Sequence, residues 1–137
     1  MVRRPQLAGA FLVSAAAIGL GGRAAHAAPS DARATELRDD AIDNDYLATD
    51  YASAEVKLKA ALSLCQSPAD CSPAIRNRLL SDLGVVELML GHVADARVQF
   101  AAALKEDPTL ALDPDLSTPD LERAFAAAKR DVVHSAG

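Results

Sequence analysis

The chain lacks most of the features that would announce a chemistry. Its only cysteines are Cys65 and Cys71, spaced C-x5-C, so the C-x-x-C spacing of a dithiol redox pair is absent. No glycine-rich loop is placed to cradle phosphate: Gly84 falls inside a helical pattern and Gly91 at a helix stop. Tryptophan is absent, and glycine-punctuated alternation of apolar and polar residues, the mark of strands, does not occur. The longest apolar run, Leu7 to Leu20, has 14 residues, short of the roughly 18 needed to cross a bilayer. Basic residues are outnumbered, 14 Lys+Arg against 19 Asp+Glu, which disfavours a nucleic-acid partner.

What is present is enough Ala, Leu and Val for one modest core, at 50% hydrophobic residues over 137. The first 27 residues read as a signal peptide. Arg3 and Arg4 open it, the apolar run follows, and Ala25-His26-Ala27 supplies small residues for cleavage. Arg3-Arg4 resembles a twin-arginine signal, although Gln6 stands where an apolar residue is expected. Cleavage after Ala27 removes three arginines and no acids. Eleven basic and nineteen acidic residues remain, a net of −8, which disfavours anionic lipid surfaces. No membrane insertion is expected after cleavage. The mature domain, 28–137, is then periplasmic or secreted, an oxidising setting in which Cys65 and Cys71 pair.

Apolar residues of the mature part recur at helical spacing and predict five helices. The first spans about Asp31 to Leu47 and the second about Asp50 to Cys65. The third starts at Ser72-Pro73, a cap followed by proline, and runs to about Leu90. It is apolar almost all round, which predicts a central helix. The fourth spans about Val93 to Lys105 and stops at Pro108. The segment 107–117, with Pro108 and Pro114, is expected to lie extended and to be pinned by Leu110, Leu112 and Leu116. Thr118-Pro119 opens the fifth helix, which carries Leu121, Phe125, Ala128 and Val132 on one stripe.

The chain also repeats itself. Asp50 to Ala54 with Leu58 and Ala61 return at identical offsets as His92 to Ala96 with Phe100 and Ala103, 42 residues later. The second unit, 77–110, carries Leu80, Leu83, Gly84, Gly91, Ala96, Phe100, Ala103 and Pro108, and on these residues it resembles a tetratricopeptide repeat. Leu80 stands where that family often has Trp, and Glu87 where Tyr is usual. A first unit, about 35–68, matches through Tyr51, Ala54, Leu58 and Ala61. The resemblance implies an all-α fold: a stack of two antiparallel helix pairs, packed through those small residues, with residues of about 118–134 as a capping helix.

The resemblance further implies that first-helix residues of each unit line a concave groove. These are Glu36, Asp39, Asp43, Tyr46 and Leu47, then Arg78, Ser81, Val85, Leu88 and Met89. An acidic rim with an apolar patch suits a basic or mixed peptide. The competing expectation is that Val85, Leu88 and Met89 pack against the fifth helix. No catalytic group is expected: Asp39 and Asp43 are i, i+4 carboxylates with no nucleophile beside them. His92 and His134 read as ordinary surface residues, and no metal or cofactor is expected. The functional expectation is an exported, non-catalytic repeat protein that binds a protein or peptide in the bacterial envelope. The alternative is a structural subunit or assembly factor of a cell-envelope complex.

The C-x5-C pairing makes the first prediction. The oxidised protein should take up no thiol label, and reduction should cost about 2 kcal/mol in a urea titration, the loop-closure value for so short a loop. Two labelled thiols in the oxidised protein would exclude the bridge.

Overall fold

A computed structural model describes residues 27–136. All but the last residue of the expected export segment lies outside them. The described chain forms five helices and no strand: α1 (Asp31–Asp40), α2 (Tyr51–Ser63), α3 (Pro73–Met89), α4 (Val93–Glu106) and α5 (Pro119–Ser135). The fold is therefore all-α, as the periodicity predicts. Among the described residues no helix is long and apolar enough to cross a membrane.

Two helix starts, those of α2 and α5, carry side-chain caps, whereas Ser72, expected to cap α3, makes no capping bond. Asp50 accepts hydrogen bonds from the Ser53 amide and hydroxyl at 3.1 and 2.7 Å, capping α2. Those bonds hold the Asp50 carboxyl below its ordinary range. Thr118 accepts from the Leu121 amide to cap α5, and Pro73 and Pro119 occupy first-turn positions. Gly91, at φ +82°, takes the left-handed conformation that turns α3 into α4.

The single first helix expected to Leu47 is corrected in its second half. After Asp40 the helix widens into a π-helical turn, Ala41–Tyr46, with the Leu47 amide donating to the Ile42 carbonyl at 3.2 Å. Asp39, Asp40, Asp43, Asn44 and Asp45 are poor helix formers, so packing decides the geometry there. Through the widened turn the adjacent residues Ala41 and Ile42 enter different apolar clusters.

Those two clusters are the core. One gathers Ala34, Ala41, Ala54, Leu58, Ala61, Leu79, Leu83 and Val86 with the Cys65–Cys71 disulfide, between α1, α2 and α3. The other gathers Ile42, Val85, Ala96, Phe100, Leu104, Leu121, Phe125 and Ala128, between α3, α4 and α5. Leu112 and Leu116 are buried in it and Leu110 packs at its edge, which pins the 107–117 segment. Contrary to expectation, the segment is not extended throughout but makes two turns, the Leu110 amide donating to the Asp107 carbonyl at 3.1 Å and the Leu116 amide to the Asp113 carbonyl at 3.0 Å. α3 feeds both clusters, which explains why it is apolar nearly all round. The residues expected to pack are buried, Leu80 and Ala103 included, with one exception. Pro108 is exposed and acts only by stopping α4.

The disulfide loop is tied to the start of α1. Asp31 accepts from the Ser72 amide at 2.8 Å and the Ala28 amide at 3.0 Å, and the Ser30 amide donates to the Asp70 carbonyl at 2.9 Å. The Ser72 N–H, more than the other bonds, holds the Asp31 carboxyl below its ordinary range.

α3 and α4 meet at Gly84. A methyl placed there would sit 2.5 Å from the Phe100 ring, and Phe100 is enclosed and stands edge-on to Phe125 at 5.3 Å. Gly84→Ala should therefore lose about 1–2 kcal/mol in urea unfolding, overpacking exceeding the helix-propensity gain. A variant as stable as the parent would show that the two helices can separate freely.

Candidate functional site

Three recesses abut along α1, the first half of α3 and the 107–117 segment. The first, about 550 Å³, is walled by Arg33, Glu36, Asp39, Asp40, Asp43 and Asn44. The second, about 230 Å³, lies between Thr35, Arg38, Asp39, Ile75, Arg78 and Leu79. The third, about 400 Å³, runs from Asn77, Arg78, Ser81 and Asp82 across to Asp107, Leu110, Leu112, Asp113 and Pro114. Asp39 lines the first two and Arg78 the last two, so the three recesses are neighbours, together called the trough.

Seven carboxylates and three guanidiniums line that trough. Arg38 is its structural centre: Nε donates to Asp82 Oδ2 at 2.6 Å, and Nη1 donates to Asp39 Oδ1 at 3.2 Å. Arg78 Nη2 reaches Asp113 Oδ2 at 3.3 Å. Asp40 is held by Lys57 at 2.7 Å and by Asn44, and these bonds, that of Lys57 first, lower its carboxyl from the ordinary range. Asp82 differs. Its side chain is only 4% exposed, and burial pushes its carboxyl above the usual carboxylate range, with Arg38 offsetting only part of that.

Asn77 is the most informative wall residue. It is buried, and its Oδ1 is enclosed without a hydrogen-bond partner. The Ser81 hydroxyl and the carboxylates of Asp82, Asp107 and Asp113 make the third recess rich in acceptors. Such a wall suits a ligand that presents N–H donors or positive charge.

Five of the ten expected groove residues line the trough: Glu36, Asp39, Asp43, Arg78 and Ser81. The other five lie outside these recesses. Val85 is buried in the second cluster and Leu88 packs against it, the outcome foreseen by the competing reading. Met89 is partly exposed, but at the far end of α3 from the trough. The π-helical turn sends Tyr46 inward, half-buried, with its ring 5.3 Å from that of Tyr51. Leu47 is left exposed beyond that turn. Sequence reasoning missed Arg38, Asn77, Asp82 and Asp113. The usable signal was in α3, where the i, i+4 pairs Asn77–Ser81 and Arg78–Asp82 interrupt an apolar helix in two neighbouring rows.

A second group of ligating atoms lies at the C-terminal end of α3, where atoms of Glu55, Glu87 and His92 fall within 4.8 Å of one another.

The buried pair makes a prediction. Arg38→Ala should destabilise by about 3 kcal/mol or more, because Asp82 keeps a buried charge without its partner. The double replacement Arg38→Met, Asp82→Leu should stay within about 1 kcal/mol of the parent. Equal losses in the single and double variants would refute the pairing argument. Comparison of the chain with family models, with curated proteins and with solved structures returns no match, so its function is argued from geometry and chemistry.

Proposed function

We propose that this is an exported, non-catalytic helical repeat protein of tetratricopeptide type, which binds a basic, extended segment of a partner protein along the trough. The repeat reading is supported by the contacts between successive helices and by the matched alanines. Ala54 and Ala96 sit 42 residues apart, and both are fully buried where hairpins meet. Leu58 and Phe100, at the matched next position, are also fully enclosed. α5 packs on α4 through Phe125 and Phe100, as a capping helix would. Its outer side carries Glu122, Arg123, Arg130 and Asp131, all exposed. Export is supported by the disulfide, a bond at home in an oxidising compartment.

One observation carries the binding reading: three neighbouring recesses lined by seven carboxylates against three guanidiniums. Exposed carboxylates act over about 8–10 Å at moderate salt, so they select a basic segment on approach. The acceptors of the third recess then hold its N–H groups.

Fluorescence anisotropy tests this with two labelled extended peptides, one rich in Lys and Arg and one rich in Glu. The parent should bind the basic peptide, less tightly as salt rises, and ignore the acidic one. Asp39→Lys with Asp43→Lys should weaken binding about tenfold or more, both positions being exposed and outside the core. Equal binding by the double variant would remove the acidic trough from the function.

A further inference from the structure

Three ligating side chains from separate parts of the chain converge at the turn between α3 and α4. Glu55 comes from α2, Glu87 from the last turn of α3, and His92 is the residue before α4. Gly91 reverses the chain at φ +82°, and the His92 amide then donates to the Glu87 carbonyl at 2.8 Å. The reversal lays the imidazole beside two carboxylates. Nδ1 lies 2.6 Å from Glu87 Oε2 and 3.8 Å from Glu55 Oε2.

Two features set this group apart from ordinary surface charge. The Glu87 side chain is 3% exposed, a rare state for glutamate. Glu55 Oε2 is enclosed and has no hydrogen-bond partner, although it faces the imidazole. An enclosed acceptor left without a donor costs free energy, and a bound cation would satisfy it. The remaining oxygens are engaged elsewhere: Lys59 Nζ lies 3.0 Å from Glu55 Oε1 and 3.6 Å from Glu87 Oε1. Lys59 thus neutralises one charge and leaves Glu55 Oε2, Glu87 Oε2 and His92 Nδ1 turned toward one another.

We propose that Glu55, Glu87 and His92 bind one divalent transition-metal cation of the zinc class, with water completing the coordination. One imidazole nitrogen and two carboxylate oxygens are ligands that suit such ions. Ligand bonds of about 2.1 Å to a tetrahedral ion place donor atoms about 3.4 Å apart. The observed 2.6 and 3.8 Å straddle that spacing, and the half-exposed His92 side chain can supply the adjustment. The cation takes the Nδ1 lone pair, so the bound neutral imidazole carries its proton on Nε2. An imidazolium cannot ligate, and binding therefore weakens as pH falls. The titratable groups around the imidazole are Glu55 and Lys59 of α2 and Glu87 of α3. The bound ion would clamp α2 to the α3–α4 turn and stabilise the folded chain by mass action.

Calorimetric titration of the tag-free protein with zinc chloride, paired with thermal unfolding, tests the site. One ion should bind per chain at about pH 7.5, raise the unfolding temperature, and bind more weakly at about pH 5.5. Magnesium, which prefers octahedral oxygen ligands, should leave the unfolding temperature unchanged. His92→Ala and the isosteric Glu55→Gln should each weaken zinc binding about tenfold or more, with helical circular dichroism retained. Lys59→Met should bind zinc as tightly as the parent or tighter, because it removes a competing positive charge. Absence of saturable zinc binding in the parent would overturn the proposal. So would undiminished binding in folded His92→Ala and Glu55→Gln, which would leave the cluster a hydrogen-bonded clip only.

Discussion

The contact of Gly84 with the Phe100 ring sets the spacing on which the rest of the molecule depends. Glycine at that position lets α3 and α4 approach until an enclosed aromatic ring fills the gap between them. Phe100 then presents its ring to Phe125, which seats α5, and the second cluster closes over the 107–117 segment. A wider separation would loosen that segment, and with it one wall of the trough. Small residues do similar work on the other side of α3, where Ala54 and Ala61 are fully buried against α1 and α3.

α3 therefore has to serve two clusters and one wall of the trough. Its apolar residues satisfy the clusters, and three of its buried polar ones, Asn77, Ser81 and Asp82, line the trough, while Glu87 lies at the other end of the helix. Polar groups in such a position are unfavourable unless paired. Asp82 has Arg38, a partner from α1, whose charge only partly offsets burial. Asn77 Oδ1 has no partner. The trough is thus one of the places where the described fold leaves hydrogen-bonding capacity unspent, as it also does at Glu55 Oε2.

Much of the helical layout was legible because it rests on local rules. The Thr118 cap, prolines at 73 and 119, the Gly91 stop and the leucine stripes each act within a few residues. The Cys65–Cys71 pairing was legible because only two cysteines exist and six positions separate them. Groove membership was half legible. Glu36, Asp39, Asp43, Arg78 and Ser81 lie where an undistorted helix phase puts them. Tyr46 and Leu47 do not, because the π-helical turn adds a phase shift that the pattern of side chains does not encode. Val85 was ambiguous because an apolar residue on a helix reads the same whether a partner helix or a ligand covers it.

Composition and spacing by themselves determined the all-α class, the places where the helices begin, and the two-sided character of α3. These follow from backbone propensity and the 3.6-residue period, which operate along the chain. Only the tertiary structure decided which polar groups meet. Arg38 and Asp82 are 44 residues apart, and Glu55, Glu87 and His92 come from different parts of the chain. Their encounter depends on how closely the helices pack and how the turns rotate them, and those quantities are summed over the whole core rather than written at any one position.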